Sequence, residues 1–259
     1  MKQSTFHLAA LVSALLLVPA APAAAAGVPA FLRAAVADPS RPAADTERDA
    51  NRKPAETLAF VGLKPGETVA ELLPGGGYFT RILSKAVGPT GHVYALVRPR
   101  PPTAPADAPD PAAKINAIAA ESGYANLSVL VQPLSAVSVP APVDLVWTSL
   151  NYHDLHNVPD FDMAAFNKQV FDALKPGGIF LVLDHAAQAG SGVRDTGTLH
   201  RIDADVVKKE VLAAGFVLAG SSDLLHRTDD PHTARVFDAS VKGKTDVFIL
   251  KFRKPAATH

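Results

Sequence analysis

The stretch Thr68-Val69-Ala70-Glu71-Leu72-Leu73-Pro74-Gly75-Gly76-Gly77-Tyr78 decides how this chain is read. Its first half is an apolar run of strand length, interrupted by one acid, Glu71. Its second half is a glycine-rich turn, after which Phe79, Ile82, Leu83 and Ala86 recur at helical spacing until Gly88-Pro89 stops them. A strand, a glycine turn and a helix in that order bring backbone amides to a ligand, because glycine has no side chain to hold the ligand off. The same residues also suit a tight strand-to-helix turn that binds nothing. At the first turn of an α/β sheet, such a loop lies where ligands bind.

Strands and helices alternate outward from this stretch. Residues 28–53 read as an N-terminal extension, with Phe31, Leu32 and Val36 as its apolar part. A short helix follows from Pro54, with Leu58 and Val61 on its apolar side. Downstream, His92–Val97, Ser128–Gln132, Val143–Trp147, Ile179–Leu183, Phe216–Ala219 and Asp246–Phe252 read as strands. Three helical stripes separate them: Ile115, Ile118 and Ala119; Met163, Phe166, Val170 and Leu174; Val207, Val211 and Ala214. The second stripe ends at Lys175-Pro176-Gly177-Gly178 and the third at Gly215. This is the pattern of an α/β fold, a doubly wound and largely parallel sheet with helices on both faces. Roughly 25 residues without a helical stripe precede the last strand, which is therefore expected to pair antiparallel at or near an edge. The folded domain is expected over residues 54–254, with 255–259 as a tail.

The chain of 259 residues carries 25 Lys+Arg against 25 Asp+Glu and no Cys. Balanced charge without a basic stripe argues against a nucleic-acid partner. The absence of Cys excludes a disulfide scaffold, a thiolate zinc site and a cysteine nucleophile. Ser84, Ser149 and Ser191 lack the G-x-S-x-G context of a hydrolase elbow. At the N-terminus, Lys2 is followed by the apolar run Leu8 to Val18 and an alanine-rich end, the parts of a cleaved export signal. That run falls short of the about 20 residues that span a bilayer, and cleavage fits after Ala23 or Ala26. With residues 1–26 removed, the protein is expected in the periplasm or secreted, with no membrane association.

Four segments together carry a more specific resemblance: Thr68–Val97, Val143-Asp144-Leu145-Val146-Trp147, Leu174-Lys175-Pro176-Gly177-Gly178 and Ala213-Ala214-Gly215-Phe216. Over residues 45–254 the chain resembles the class I S-adenosylmethionine-dependent methyltransferases, and within them the exported predicted-methyltransferase family. The resemblance implies a seven-stranded Rossmann-like sheet of order 3-2-1-4-5-7-6, with strand 7 antiparallel and S-adenosyl-L-methionine above strands 1, 2 and 4. It implies that Glu71, Gly75, Gly76, Gly77, Tyr78 and Asn151 bind the cofactor, and that a small molecule accepts the methyl group. The chain departs from the family at three positions. Leu73 stands at the first glycine, Val97 at the acid that ends strand two, and Gln132-Pro133-Leu134-Ser135 offers no Asp after strand three. Losing the ribose carboxylate removes a charge-assisted bond worth about 1.5–3 kcal/mol.

Polar residues gather where the strands end. Asn151-Tyr152-His153-Asp154-Leu155-His156 follows the fourth strand, Asp184-His185 ends the fifth, and His200-Arg201-Ile202-Asp203 precedes a helix. His153, Asp154 and His185 are the candidate catalytic residues, a histidine that titrates near neutrality being able to take a proton from a hydroxyl or amine. Structural roles compete: Asp154 as a turn cap, His156 as plain surface, Arg201 paired with Asp203 or Asp154. A metal-dependent enzyme using His153, His156, Asp184 and His185 is an alternative, although no tight metal spacing supports it and no metal ligand is assigned. A binding or scaffolding protein that kept the fold and lost the nucleoside is another. Six prolines between Arg98 and Pro111 form either a flap over the pocket or an ordinary surface loop.

Overall fold

A computed structural model describes residues 27–105 and 107–256. The expected export signal lies outside the described residues. In chain order the elements are α1 (Ala30–Val36), α2 (Ala43–Thr46), α3 (Asp49–Arg52), α4 (Pro54–Val61), β1 (Thr68–Leu72), α5 (Tyr78–Val87), β2 (His92–Val97) and α6 (Ala113–Ala119). They continue with β3 (Leu127–Val131), β4 (Val143–Ser149), α7 (Tyr152–Leu155), α8 (Met163–Ala173), β5 (Leu174–His185), α9 (Ala204–Ala213), β6 (Val217–Ser222) and β7 (Val247–Arg253). The seven strands form one sheet of order β3-β2-β1-β4-β5-β7-β6. Strand β7 runs antiparallel to β5 and β6, and the pairings among the other strands are parallel. The expected architecture and strand order are therefore observed. No helix among the described residues is long and apolar enough to cross a membrane.

The two-residue period of a strand divides the side chains between two cores. Val69, Val93, Leu145, Trp147 and Leu181 pack with Leu32, Leu58, Ile82 and Ile115 from α1, α4, α5 and α6. Ala70, Leu72, Val146, Phe180 and Val182 pack with Phe166, Val170, Val207 and Val211 from α8 and α9. Both faces of the sheet are covered, which is why its central strands read as apolar runs without alternation.

Two elements differ from the sequence reading. Strand β5 begins at Leu174, which was expected to close the stripe of α8 and instead pairs with Val143. Pro176 cannot continue a helix, and a register shift between Val143 and Leu145 takes up the extra length. Gly177, at φ +81°, donates to the carbonyl of Lys254 and so ties this bulged segment to the end of β7. The second difference is the N-terminal extension, which folds into α1, α2 and α3. Helix α1 lies on α5 with Leu32 fully buried, a burial worth about 1.5–3 kcal/mol. These helices have four to seven residues, too few for a stripe to repeat.

Strand order reverses between β1 and β4: the chain winds outward from β1 through β2 to β3, then returns to β4 on the other side of β1. The two crossovers part above these strand ends, and a crevice opens there.

Candidate functional site

That crevice is a cleft of about 730 Å³, within the range of small-molecule sites. Leu73, Pro74, Gly75, Gly76, Tyr78, Val97, Arg98, Leu134, Asn151 and Asp154 are among its walls. Gly75 and Gly76 meet open space where a Cβ would stand, so the cleft side of the turn is bare backbone. Gly77 serves the fold. It caps α5 at φ +88°, and a Cβ there would overlap the Ile118 side chain. Leu73 holds the left-handed conformation (φ +51°) that favours glycine, at a cost on the order of 1 kcal/mol. Asn151 steadies it by donating from Nδ2 to the Leu73 carbonyl at 3.1 Å. This side chain stitches the loop after β4 to the glycine turn.

Glu71 lies under the turn and outside the cleft walls. Two-residue alternation turns it to the same side as Val69, toward α5, where Thr80 Oγ1 donates to its carboxyl at 2.5 Å. Burial raises its pKa to about 8, with the Thr80 bond opposing. Near neutrality it is an uncharged acid inside the protein.

Tyr78 marks what the sequence reading missed. Its hydroxyl donates to Asp49 at 2.6 Å, and the guanidinium groups of Arg41, Arg48 and Arg52 stand 5.3, 4.8 and 4.5 Å from its ring centre. Arg48 and Arg52, on and beside α3, line the cleft, and Arg98 joins them from the end of β2. Three guanidinium groups and one carboxylate, Asp154, line the cleft, so its wall is cationic even with Arg48 paired to Asp45, in a chain with no net charge. Composition averages such a patch away. A second chamber of about 550 Å³ shares Arg48, Arg52, Ser149 and Leu150 with the cleft and is also lined by His185, Phe237 and Thr245. Of the proline-rich segment, Arg98 and Pro111 reach the cleft wall.

Neighbours in sequence separate across the sheet. Asp184 shares a side with Val182 and holds His153 twice, accepting from its backbone N–H and pairing with Nδ1, each at 2.8 Å. Burial alone would lower the His153 pKa, but Asp184 and Asp154 raise it to about 10. His153 thus keeps its proton at neutral pH and is a poor base. His185 turns to the other side, where Nδ1 meets Thr245 Oγ1 at 2.8 Å. Burial lowers its pKa to about 4, leaving a neutral imidazole on the wall of the second chamber. Of the three candidate catalytic residues, His185 is the one held as a neutral imidazole, and the same burial makes it a weak base. Asp154 sits between His153 Nε2 at 3.3 Å and His200 Nδ1 at 3.4 Å. His156 instead turns to Glu210 at 3.3 Å. Arg201 pairs with neither expected partner: it makes a bidentate bond to Asp230 at 2.8 and 3.0 Å, both side chains fully buried.

No protein-family profile and no curated protein matches the chain. Solved structures do. A SAM-dependent methyltransferase from Aquifex aeolicus is 18% identical with a TM-score of 0.54, the match covering 80% of this chain and 98% of that one. The fold is that of the class I methyltransferases. The glycopeptide N-methyltransferase MtfA, solved with S-adenosyl-L-methionine, is 16% identical with a TM-score of 0.52, over 78% of this chain and 87% of that one. The [4+2]-cyclase SpnF is 17% identical with a TM-score of 0.55, over 80% and 82% of the two chains. This fold is thus shared with a [4+2]-cyclase, and what the chain does depends on the walls of its own cleft.

Proposed function

We propose that the protein binds S-adenosylmethionine in the 730 Å³ cleft and transfers its methyl group to a small molecule held in the adjoining chamber. The observation that carries this reading is the bare backbone of Gly75-Gly76 at the switch point of a methyltransferase sheet, in a cleft of cofactor size. The cationic wall suits the carboxylate of the methionyl end. His185, on the wall of the second chamber, is placed to take, as a weak base, the proton that a hydroxyl or amine acceptor loses. A second reading rests on Val97 and Leu134, which present apolar wall where the nucleoside would find acids. On that reading, the cleft serves binding without turnover.

Calorimetric titration with S-adenosylmethionine and S-adenosylhomocysteine distinguishes the two. The parent should bind both. Gly76→Val, whose new side chain enters open space on the cleft side, should weaken binding at least tenfold while keeping the melting temperature. Gly77→Val should instead lower the melting temperature, through its positive φ and the displacement of the Ile118 side chain. A parent that binds neither nucleoside would defeat the methyltransferase reading and leave the second.

A further inference from the structure

We propose that His153, Asp154 and His200 form a binding site for one divalent transition-metal ion at the cleft wall, of the zinc or ferrous-iron class. The donor atoms of the three residues lie within 4.8 Å of one another. Both imidazoles approach the same carboxylate oxygen, Asp154 Oδ1: His153 Nε2 at 3.3 Å and His200 Nδ1 at 3.4 Å. Metal bonds of about 2.0–2.1 Å in tetrahedral array place adjacent donors about 3.3–3.4 Å apart, so two of the three edges already have the length a bound ion requires.

His153 is oriented as a ligand, and an ion binding there displaces the proton that its Nε2 shares with Asp154. Asp184 takes its Nδ1 at 2.8 Å and its backbone N–H at 2.8 Å, which fixes the ring and leaves Nε2 as the nitrogen turned to Asp154. A carboxylate behind the ligating imidazole is the usual support of a histidine–metal bond. A second His–Asp–His group in the same chain gives the contrast. There, His226 and His232 each reach a different oxygen of Asp246, both at 2.9 Å. That is ordinary hydrogen bonding, with no shared vertex for an ion. Two imidazoles and one carboxylate with no thiolate suit zinc or ferrous iron, and three protein donors leave positions for a bound molecule. Those positions would face the ligand, because Asp154 is half exposed and lines the cleft. The site draws on adjacent residues of α7 and a third from the loop before α9, so no compact motif announces it. It does not depend on the nucleoside reading.

The test uses the full chain, stripped with chelator and titrated with zinc, and separately with cobalt as a spectroscopic stand-in. The parent should take up one ion per chain, raise its melting temperature, and give cobalt the visible bands of an imidazole–carboxylate site. His200→Ala and Asp154→Asn should each weaken uptake by more than about 100-fold, and Asp184→Asn by about 10–100-fold through loss of the supporting carboxylate. His232→Ala should change nothing. Melting of each stripped variant separates lost ligation from lost fold; if His200→Ala is unfolded, Asp154→Asn decides. A parent without a stoichiometric ion, or folded variants that bind as tightly as the parent, would overturn the site.

Discussion

At the scale of the residue, Glu71 gives the clearest consequence of burial. The unfolded chain releases its proton near pH 4.5, whereas the folded chain holds it to about pH 8. Between these values the native state binds more protons than the unfolded state, so the stability due to this group is whole below pH 4.5 and is lost as pH rises toward 8. Glu71→Gln keeps the shape and the contact with Thr80 and cannot ionise. Urea unfolding at the two ends of that window should show the parent losing on the order of a few kcal/mol relative to the variant. Parallel pH profiles would mean that Glu71 is ionised in the fold and has a counter-ion or water partner. Glu71 stands out in the sequence as the one acid of its strand. An acid at that position resembles a ligand for the cofactor, but side-chain alternation along β1 points it into the layer beneath.

At the scale of the element, the segment from Asp223 to Asp246 joins β6 to β7 without a helix or strand and still forms part of a chamber wall. Asp230 anchors it. The carboxylate receives two bonds from Arg201 and the backbone N–H groups of His232 and Asp246, while Arg201 also donates to the carbonyls of Ala186 and Ala234. Arg201→Ala would leave Asp230 charged, buried and short of its partner, at a cost of about 3–5 kcal/mol. Hydrogen exchange should then accelerate across residues 225–246 before the sheet is affected. A loss under about 1 kcal/mol would show that water replaces the guanidinium. Strands and long helices were legible because apolar residues repeat along them; this loop was not, because ion pairs between residues 29 apart leave no periodic trace. The register shift in β5 was hidden for a related reason: Lys175-Pro176-Gly177-Gly178 reads as a turn, and only its pairing with β4 and β7 makes it strand.

At the scale of the whole molecule, strand order followed from alternation and resemblance, while the closure of the crevice did not. Arg48 and Arg52, beside and on α3, wall one side of it, and the N-terminal helices that carry them are held by ion pairs as well as by buried Leu32. Arg41, its side chain fully buried, makes a bidentate bond to Asp49 at 2.7 Å, and Asp49 also accepts from Tyr78 on the cleft wall. Burial would raise the Asp49 pKa, but Arg41 and Tyr78 hold it below the usual carboxylate value. One carboxylate therefore joins the N-terminal helices to α5, through the Tyr78 ring beneath Arg48 and Arg52. Asp49→Leu would strand the Arg41 charge inside the protein and free Tyr78, at a cost of several kcal/mol. If the helices belong to the same cooperative unit as the sheet, the variant should still unfold in one transition at a lower temperature. Its affinity for any molecule bound between Arg48, Arg52 and Tyr78 should fall with it. Hydrogen exchange in the parent checks the premise directly, since amides of Arg33–Val36 should open together with those of α5. Rapid exchange of residues 30–52 beside a protected sheet would show an appended segment, and Asp49→Leu would then leave the melting temperature of the sheet domain where it was.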